Sequence, residues 1–335
     1  MIHPVHTRRS IHLPGAGLWL DPSFGVEHAF VSHAHSDHVG RHKVTYCTPV
    51  TGLLMRERYG ISARGRRFVE LEFDEPCEWH GHELRLLPAG HIPGSAMLHL
   101  TRLEDGATLL YTGDFKLRAG LATAKAELRR ADALILETTF GLPRYVFPPL
   151  ETLRADVLQF VGETLASGQI PVLFGYSLGK AQEILRLLAG AGYPVMAHHT
   201  VMEMTALLAP HLDALPKMRP LAAADARGHV LVLPPRHGRD DSLSNLPAAA
   251  RTAMLSGWAL DPGAKYRLGV DAAFPLSDHA DYPELLRTVA EVAPRRIHAV
   301  HGFVREFAAD LRRRGHDAWA MGHQEQLELG FGVED

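Results

Sequence analysis

Short apolar runs recur along the chain and alternate with stretches of helical periodicity. The runs at residues 29–31, 84–87, 108–111, 133–136, 172–174, 195–197, 230–233 and 297–300 read as strands. Ala181, Ile184, Leu185 and Leu188 fall on one helical face, and the same period returns over 284–292 and 304–313. Gly190, Gly192 and Gly315 are placed as helix stops. Strands alternating with helices predict an α/β fold. No internal repeat or low-complexity tract interrupts it.

Two stretches break the pattern, the Pro-rich 143–149 and the Asp261-Pro262-Gly263 region at 259–265. The strand and helix units between them contain no histidine–aspartate cluster. This predicts an inserted domain at 149–260 within a larger domain built from 1–148 and 261–335. A length of 335 residues accommodates one large or two linked domains at roughly 150 residues each. The apolar share of 46% supports a sizeable core, and a net charge of −3 argues against a global basic field. Any polyanion site must be local. Cys47 and Cys77 form no CxxC pair, which argues against a disulfide framework or a Cys-based zinc site. The first residues lack the apolar core of a signal peptide, and no stretch approaches the ~20 apolar residues of a membrane span. The expectation is a soluble cytoplasmic protein without a membrane partner.

What stands out is 22 histidines, and their positions matter more than their number. FVSHAHSDH, LPAGH, LLYTGD, LILET and IHAVHG share one layout, an apolar strand followed at once by His, Asp or Glu. Residues just past strand ends collect on one rim of a sheet, where loops build sites. His33, His35, Asp37 and His38 place four ligand-type side chains within six residues, with small Ala34 and Ser36 permitting a sharp turn. Imidazole and carboxylate suit zinc. His91, Asp114 and His301 are further candidate ligands, each an ordinary loop or turn residue if taken alone.

HxHxDH, a lone His, TGD and a C-terminal His resemble the metallo-β-lactamase pattern. The resemblance implies a four-layer αββα fold with two divalent cations, zinc or manganese. One would take His33, His35, His91 and Asp114, and the other Asp37, His38, Asp114 and His301. It makes Asp21 and Glu137 outer partners of the ligands. Glu137 in ETTFG looks like motif A of the β-CASP nucleases. YSLGKAQE at 176–183 and Ser256-Gly257-Trp258 resemble segments of their compact α/β insert, and Ser277-Asp278-His279-Ala280-Asp281 looks like motif B. The wording is closest to the bacterial DNA-ligase-associated exonucleases, an Artemis-like branch.

That branch implies a metal-dependent DNA exonuclease in DNA repair, hydrolysing phosphodiesters with a two-metal-activated hydroxide and acting from a 5′ end. Asp37, Asp114 and His279 would be catalytic, and Ser177, Lys180 and His279 would hold phosphate. DNA single strands or ends would be the substrate, with DNA ligase or helicase repair proteins as partners. An RNase J-like RNA processing nuclease is the alternative, and a metal-bound scaffold without turnover is a third reading. Elementary chemistry agrees, since two cations can clamp both reacting oxygens of an in-line displacement. The 177–180 turn reads either as a phosphate seat or as an ordinary helix start capped by Ser177. Arg56, Arg58, Arg64, Arg66 and Arg67 read as a nucleic-acid track or a solvated face, and Trp258 as a base-stacking or a core residue.

Overall fold

The computed structural model describes residues 1–7, 10–60, 65–235, 243 and 245–322. Strand Ala133–Thr138 is buried at every position, as expected for a strand covered on both faces. Its alternate residues enter different cores. Ala133 and Ile135 join Leu13, Leu18, Leu20, Phe30 and Tyr46 of a facing sheet. Leu134 and Leu136 pack with Leu285, Val289, Phe307 and Leu311, from helices Tyr282–Val292 and Val304–Arg313. On the outer face of the other sheet, Met55 of helix Pro49–Tyr59 packs with Val31 and Cys47. The layers therefore run helix, sheet, sheet, helix.

Both sheets belong to one compact unit, formed by Met1–Ala119, Ala124–Val146 and the chain from His279. Among the described residues the first sheet has six strands in chain order, from Val5–Thr7 to Arg67–Glu70. The second runs Ala318–Ala320, Arg296–Gly302, Ala133–Thr138, Thr108–Tyr111, Ala96–Arg102, His82–Pro88, Cys77–Trp79. Thr108–Tyr111, Ala133–Thr138 and Arg296–Gly302 are mutually parallel. His82–Pro88 reaches them through antiparallel Ala96–Arg102, so it points the same way. The carboxyl ends of four strands thus share one edge. His91, Asp114, Glu137 and His301 lie at or just beyond those ends.

The second unit is Gly120–Thr123 with Phe147–Asp278. Its six described strands are all parallel, in the order Met218–Pro220, Val195–Ala197, Val230–Leu233, Ile170–Phe174, Ala250–Leu255, Ala272–Phe274. Apolar clusters cover both faces. The sequence pattern ends the insert at 260. Strand Ala272–Phe274 pairs with Ala250–Leu255, so this unit's sheet continues past that point. Ala272–Phe274 is an edge strand that is only half-buried at every position, so it lacks the apolar run that marks the interior strands.

Candidate metal centre

Asp21 follows strand Leu18–Leu20 with φ of 44°, a left-handed conformation uncommon outside glycine. Its carboxylate is fully engaged. Oδ1 accepts from Ser32 N at 2.6 Å, and Oδ2 accepts from Ser32 Oγ at 2.5 Å and Tyr111 Oη at 2.7 Å. His38 Nδ1 lies 3.0 Å from Oδ2. This turns His38 Nε2 towards Asp114 Oδ2, 3.4 Å away.

Gly113 lets the next loop approach. Its φ is 53°, and a Cβ there would lie 2.7 Å from the Ser32 side chain. Asp114 is thereby carried against the histidine loop. His33 Nε2 and His91 Nε2 each lie 3.1 Å from His35 Nδ1. They lie 3.6 and 3.8 Å from Asp114 Oδ2. Zn–N bonds of about 2.0–2.1 Å at tetrahedral angles put ligand atoms roughly 3.3 Å apart. The donor set His33, His35, His91 and Asp114 converges at that spacing and suits one divalent cation.

The second predicted set is less closed. His38 and Asp114 are buried. Asp37 Oδ2 is 3.6 Å from His38 Nε2, but its side chain is 79% exposed. His301 is exposed with φ of 55°, and its ring centre is 5.7 Å from that of His38. Gly302 holds this turn against Thr139, where a Cβ would meet backbone at 2.4 Å.

Charge inside the cluster is balanced by pairing. Burial would lower His38, but Asp114 and Asp21 hold its ring well above the usual imidazole range. Burial would raise Asp114, yet the facing rings, His38 foremost, hold it well below the carboxylate range. His33 is pushed down by burial and by the rings of His38, His91 and His35, which keeps it neutral, the form that ligates metal.

Beside these residues, His279 Nδ1 lies 3.1 Å from Glu137 Oε1, and its ring centre is 4.8 Å from that of His91. Glu137 is buried, and its oxygens accept from Phe115 N at 2.9 Å and Thr139 N at 3.3 Å. A buried carboxylate so held can orient an imidazole for proton transfer.

The remaining candidates lie elsewhere. In the second unit Lys180 is buried, with Nζ 2.9 Å from Asp278 Oδ1 and donating to Leu276 O at 3.0 Å. The helix Lys180–Leu188 has Gly179, not Ser177, at its N-cap. Arg56 pairs with Glu70 at 2.6 Å, and Arg58 donates to Ala34 O at 3.2 Å. Arg64 lies outside the described residues. Trp258 is not a core residue, being 42% exposed.

Three contributors were not singled out by sequence. Ser32 and Tyr111 hold Asp21, while Tyr59 joins Arg58 in donating to Ala34 O inside the histidine loop. Tyr111 directly precedes the TGD turn and Ser32 directly precedes His33, but adjacency alone does not show an alliance 90 residues apart.

No protein-family model matches the chain. A protein of Opitutus terrae named "Probable DNA ligase" is 46% identical over 328 residues, covering 98% of this chain and 32% of that protein. The mouse "DNA cross-link repair 1A protein" is 26% identical over 314 residues, covering 85% of this chain and 30% of that protein. An "RNase J-like protein" of Methanocaldococcus jannaschii is 30% identical over 184 residues, covering 49% of this chain and 43% of that protein. The chain thus spans less than half the length of each of these relatives. Among the described residues no helix is long and apolar enough to cross a membrane.

Proposed function

The chain belongs to the metallo-β-lactamase/β-CASP nuclease family, and from that premise we propose that it is a metal-dependent DNA exonuclease acting in DNA repair. The observation that carries the proposal is the convergence of His33, His35, His91 and Asp114 beside the Glu137–His279 pair. His33, His35, His91 and Asp114 would hold one divalent cation. Asp37, His38, Asp114 and His301 would hold a second, with zinc the better fit to a histidine-rich set and manganese compatible with it. Cations bound there supply Lewis-acid charge stabilisation and lower the pKa of water.

The chain's own residues do the rest. Asp21 fixes the tautomer of His38 through Nδ1 and so aims Nε2 at the site. Glu137 does the same for His279 through Nδ1. His279 Nε2 would then give its proton to the leaving oxygen as that oxygen's bond to phosphorus breaks and the oxygen of water bonds to phosphorus, the proton that water loses passing to solvent. Asp37 and Asp114 complete the acidic side of the centre.

DNA is favoured over RNA because the relatives matched over 98% and 85% of this chain carry DNA ligase and DNA cross-link repair names. The RNase J-like match keeps RNA as the second reading. Attack from a 5′ end follows from likeness to the Artemis-type branch. The Opitutus relative supports a DNA ligase as partner. The second unit is the β-CASP insert on this reading, with Ser177 and Lys180 in its phosphate-facing segment. Since Lys180 is paired with Asp278, phosphate would be met there by Ser177 and by the turn's amides rather than by an unpaired ammonium.

The test is a time course on matched DNA and RNA oligonucleotides labelled at either end, with zinc and manganese supplied in turn. Stepwise loss from the DNA 5′ end, abolished by Asp114→Ala, is expected. Internal cleavage of RNA in preference to DNA would overturn the assignment.

A further inference from the structure

We propose that the second unit carries its own binding site for unpaired nucleobases of single-stranded DNA, a stacking site distinct from the metal centre. The inference rests on the nuclease reading for its ligand and on the following geometry for its place. In the parallel sheet, Ile170–Phe174 and Ala250–Leu255 are neighbours. The chain leaves the first towards Val195–Ala197, on one side of the sheet, and leaves the second towards Ala272–Phe274, on the other. Such a divergence opens a crevice outside the carboxyl ends of the two strands, where open α/β sheets bind ligands.

A cavity of about 370 Å³ occupies that position. Gly175 and Tyr176 line it from the end of the first strand, Ser256 and Trp258 from the end of the second, and Pro235 and Arg267 complete the rim. Its size falls in the range of small-ligand pockets.

The side chains around it have the chemistry of a stacking platform. Tyr176 is 66% exposed and Trp258 42%, and neighbouring Tyr266 is 79% exposed. Two of the five large aromatic side chains exposed among the described residues, Tyr176 and Trp258, line this cavity, and a third, Tyr266, directly precedes the lining residue Arg267. Leaving such surface in water forgoes the gain of burial, and grouping it beside a cavity is what a ligand would relieve. Basic residues alternate with the aromatics. The short helix Ala264–Leu268 reads Ala-Lys-Tyr-Arg-Leu. Lys265 Nζ sits 4.9 Å from the Tyr266 ring centre, and Arg267 pairs with Asp261 at 3.3 Å on the cavity wall. Cations interleaved with exposed rings fit a strand whose bases stack while its phosphates meet positive charge.

The test uses the whole protein in excess EDTA, so that binding is read without cleavage. Affinity for a fluorescein-labelled oligothymidylate is measured by anisotropy for wild type, Trp258→Ala, Tyr266→Ala and Trp258→Phe. Each alanine variant is expected to raise Kd by about tenfold, and Trp258→Phe to stay within about twofold because it keeps a ring. Wild-type binding with both alanine variants unchanged overturns the stacking site and leaves the nuclease reading intact. A wild type that neither binds the oligonucleotide nor cleaves it when metal is restored overturns both. Equal loss in Trp258→Ala and Trp258→Phe also overturns stacking, since a retained ring should rescue it.

Discussion

Asp21 Oδ2 and His38 Nδ1 lie 3.0 Å apart in a buried pair. Removing that carboxylate frees the ring to rotate and removes the charge that aims Nε2 at the centre. Outer partners of metal histidines typically contribute about 10–100-fold in affinity. Asp21→Asn is expected to weaken metal binding by about that factor, measured by competition with a chromophoric chelator. Unchanged affinity would show that His38 does not act as a ligand through this pair.

Glu137 and His279 form the second such pair, but they should affect a different quantity. His279→Ala and Glu137→Gln are expected to slow cleavage by about 10²–10⁴-fold, the usual range for a general acid. Metal content by elemental analysis should be nearly unchanged. Loss of metal in His279→Ala would mean that the roles of His279 and His301 are exchanged.

The candidate metal ligands were legible because their pattern is local. His33, His35, Asp37 and His38 lie in one loop, and His91, Asp114 and His301 each follow an apolar run. The strand run 108–111 and the helix 304–313 match the observed elements at both ends. What escaped notice depends on register and loop closure. Short half-polar strands such as Ser10–Leu13 and Val44–Cys47 carry little periodicity. Helix Pro49–Tyr59 has a weak apolar face, with Arg56 and Arg58 in its last turn. In sequence Arg56 and Arg58 read as a nucleic-acid track or, as such runs more often are, a solvated face. The fold instead commits Arg56 to Glu70 and Arg58 to a carbonyl of the histidine loop. Lys180 shows the same limit, since nothing near it in sequence announces the partner Asp278.

His42 offers a stability prediction away from the ligands. It is buried, and both ring nitrogens lack a hydrogen-bond partner. Burial lowers its pKa from 6.5 to about 4 despite the opposing charge of Asp21. The folded state therefore refuses a proton that the unfolded chain accepts between those values. Above pH 6.5 both states are neutral and there is no penalty. As pH falls through the window towards 4, stability drops by ~1.4 kcal/mol per unit, roughly 3 kcal/mol in all. His42→Leu is expected to flatten this part of the pH dependence of Tm in metal-free protein. Parallel curves for wild type and variant would remove His42 as its source.

Metal binding should itself be linked to pH and to stability. His38 holds its proton well above the imidazole range, so a cation entering at Nε2 must displace it. His33, His91 and Asp114 are buried, and a cation bound among them would offset their desolvation. Binding to the native state alone adds about 2.7 kcal/mol at a free metal concentration 100 times Kd. Chelation is therefore expected to lower Tm, and restored zinc or manganese to raise it. Calorimetric titrations at neutral pH in buffers of different ionisation enthalpy should register proton release of about one per cation bound at His38. His38→Gln should abolish that release. Release that persists in full in His38→Gln would place the displaced proton on another group and return His38 to a purely structural part of the cluster.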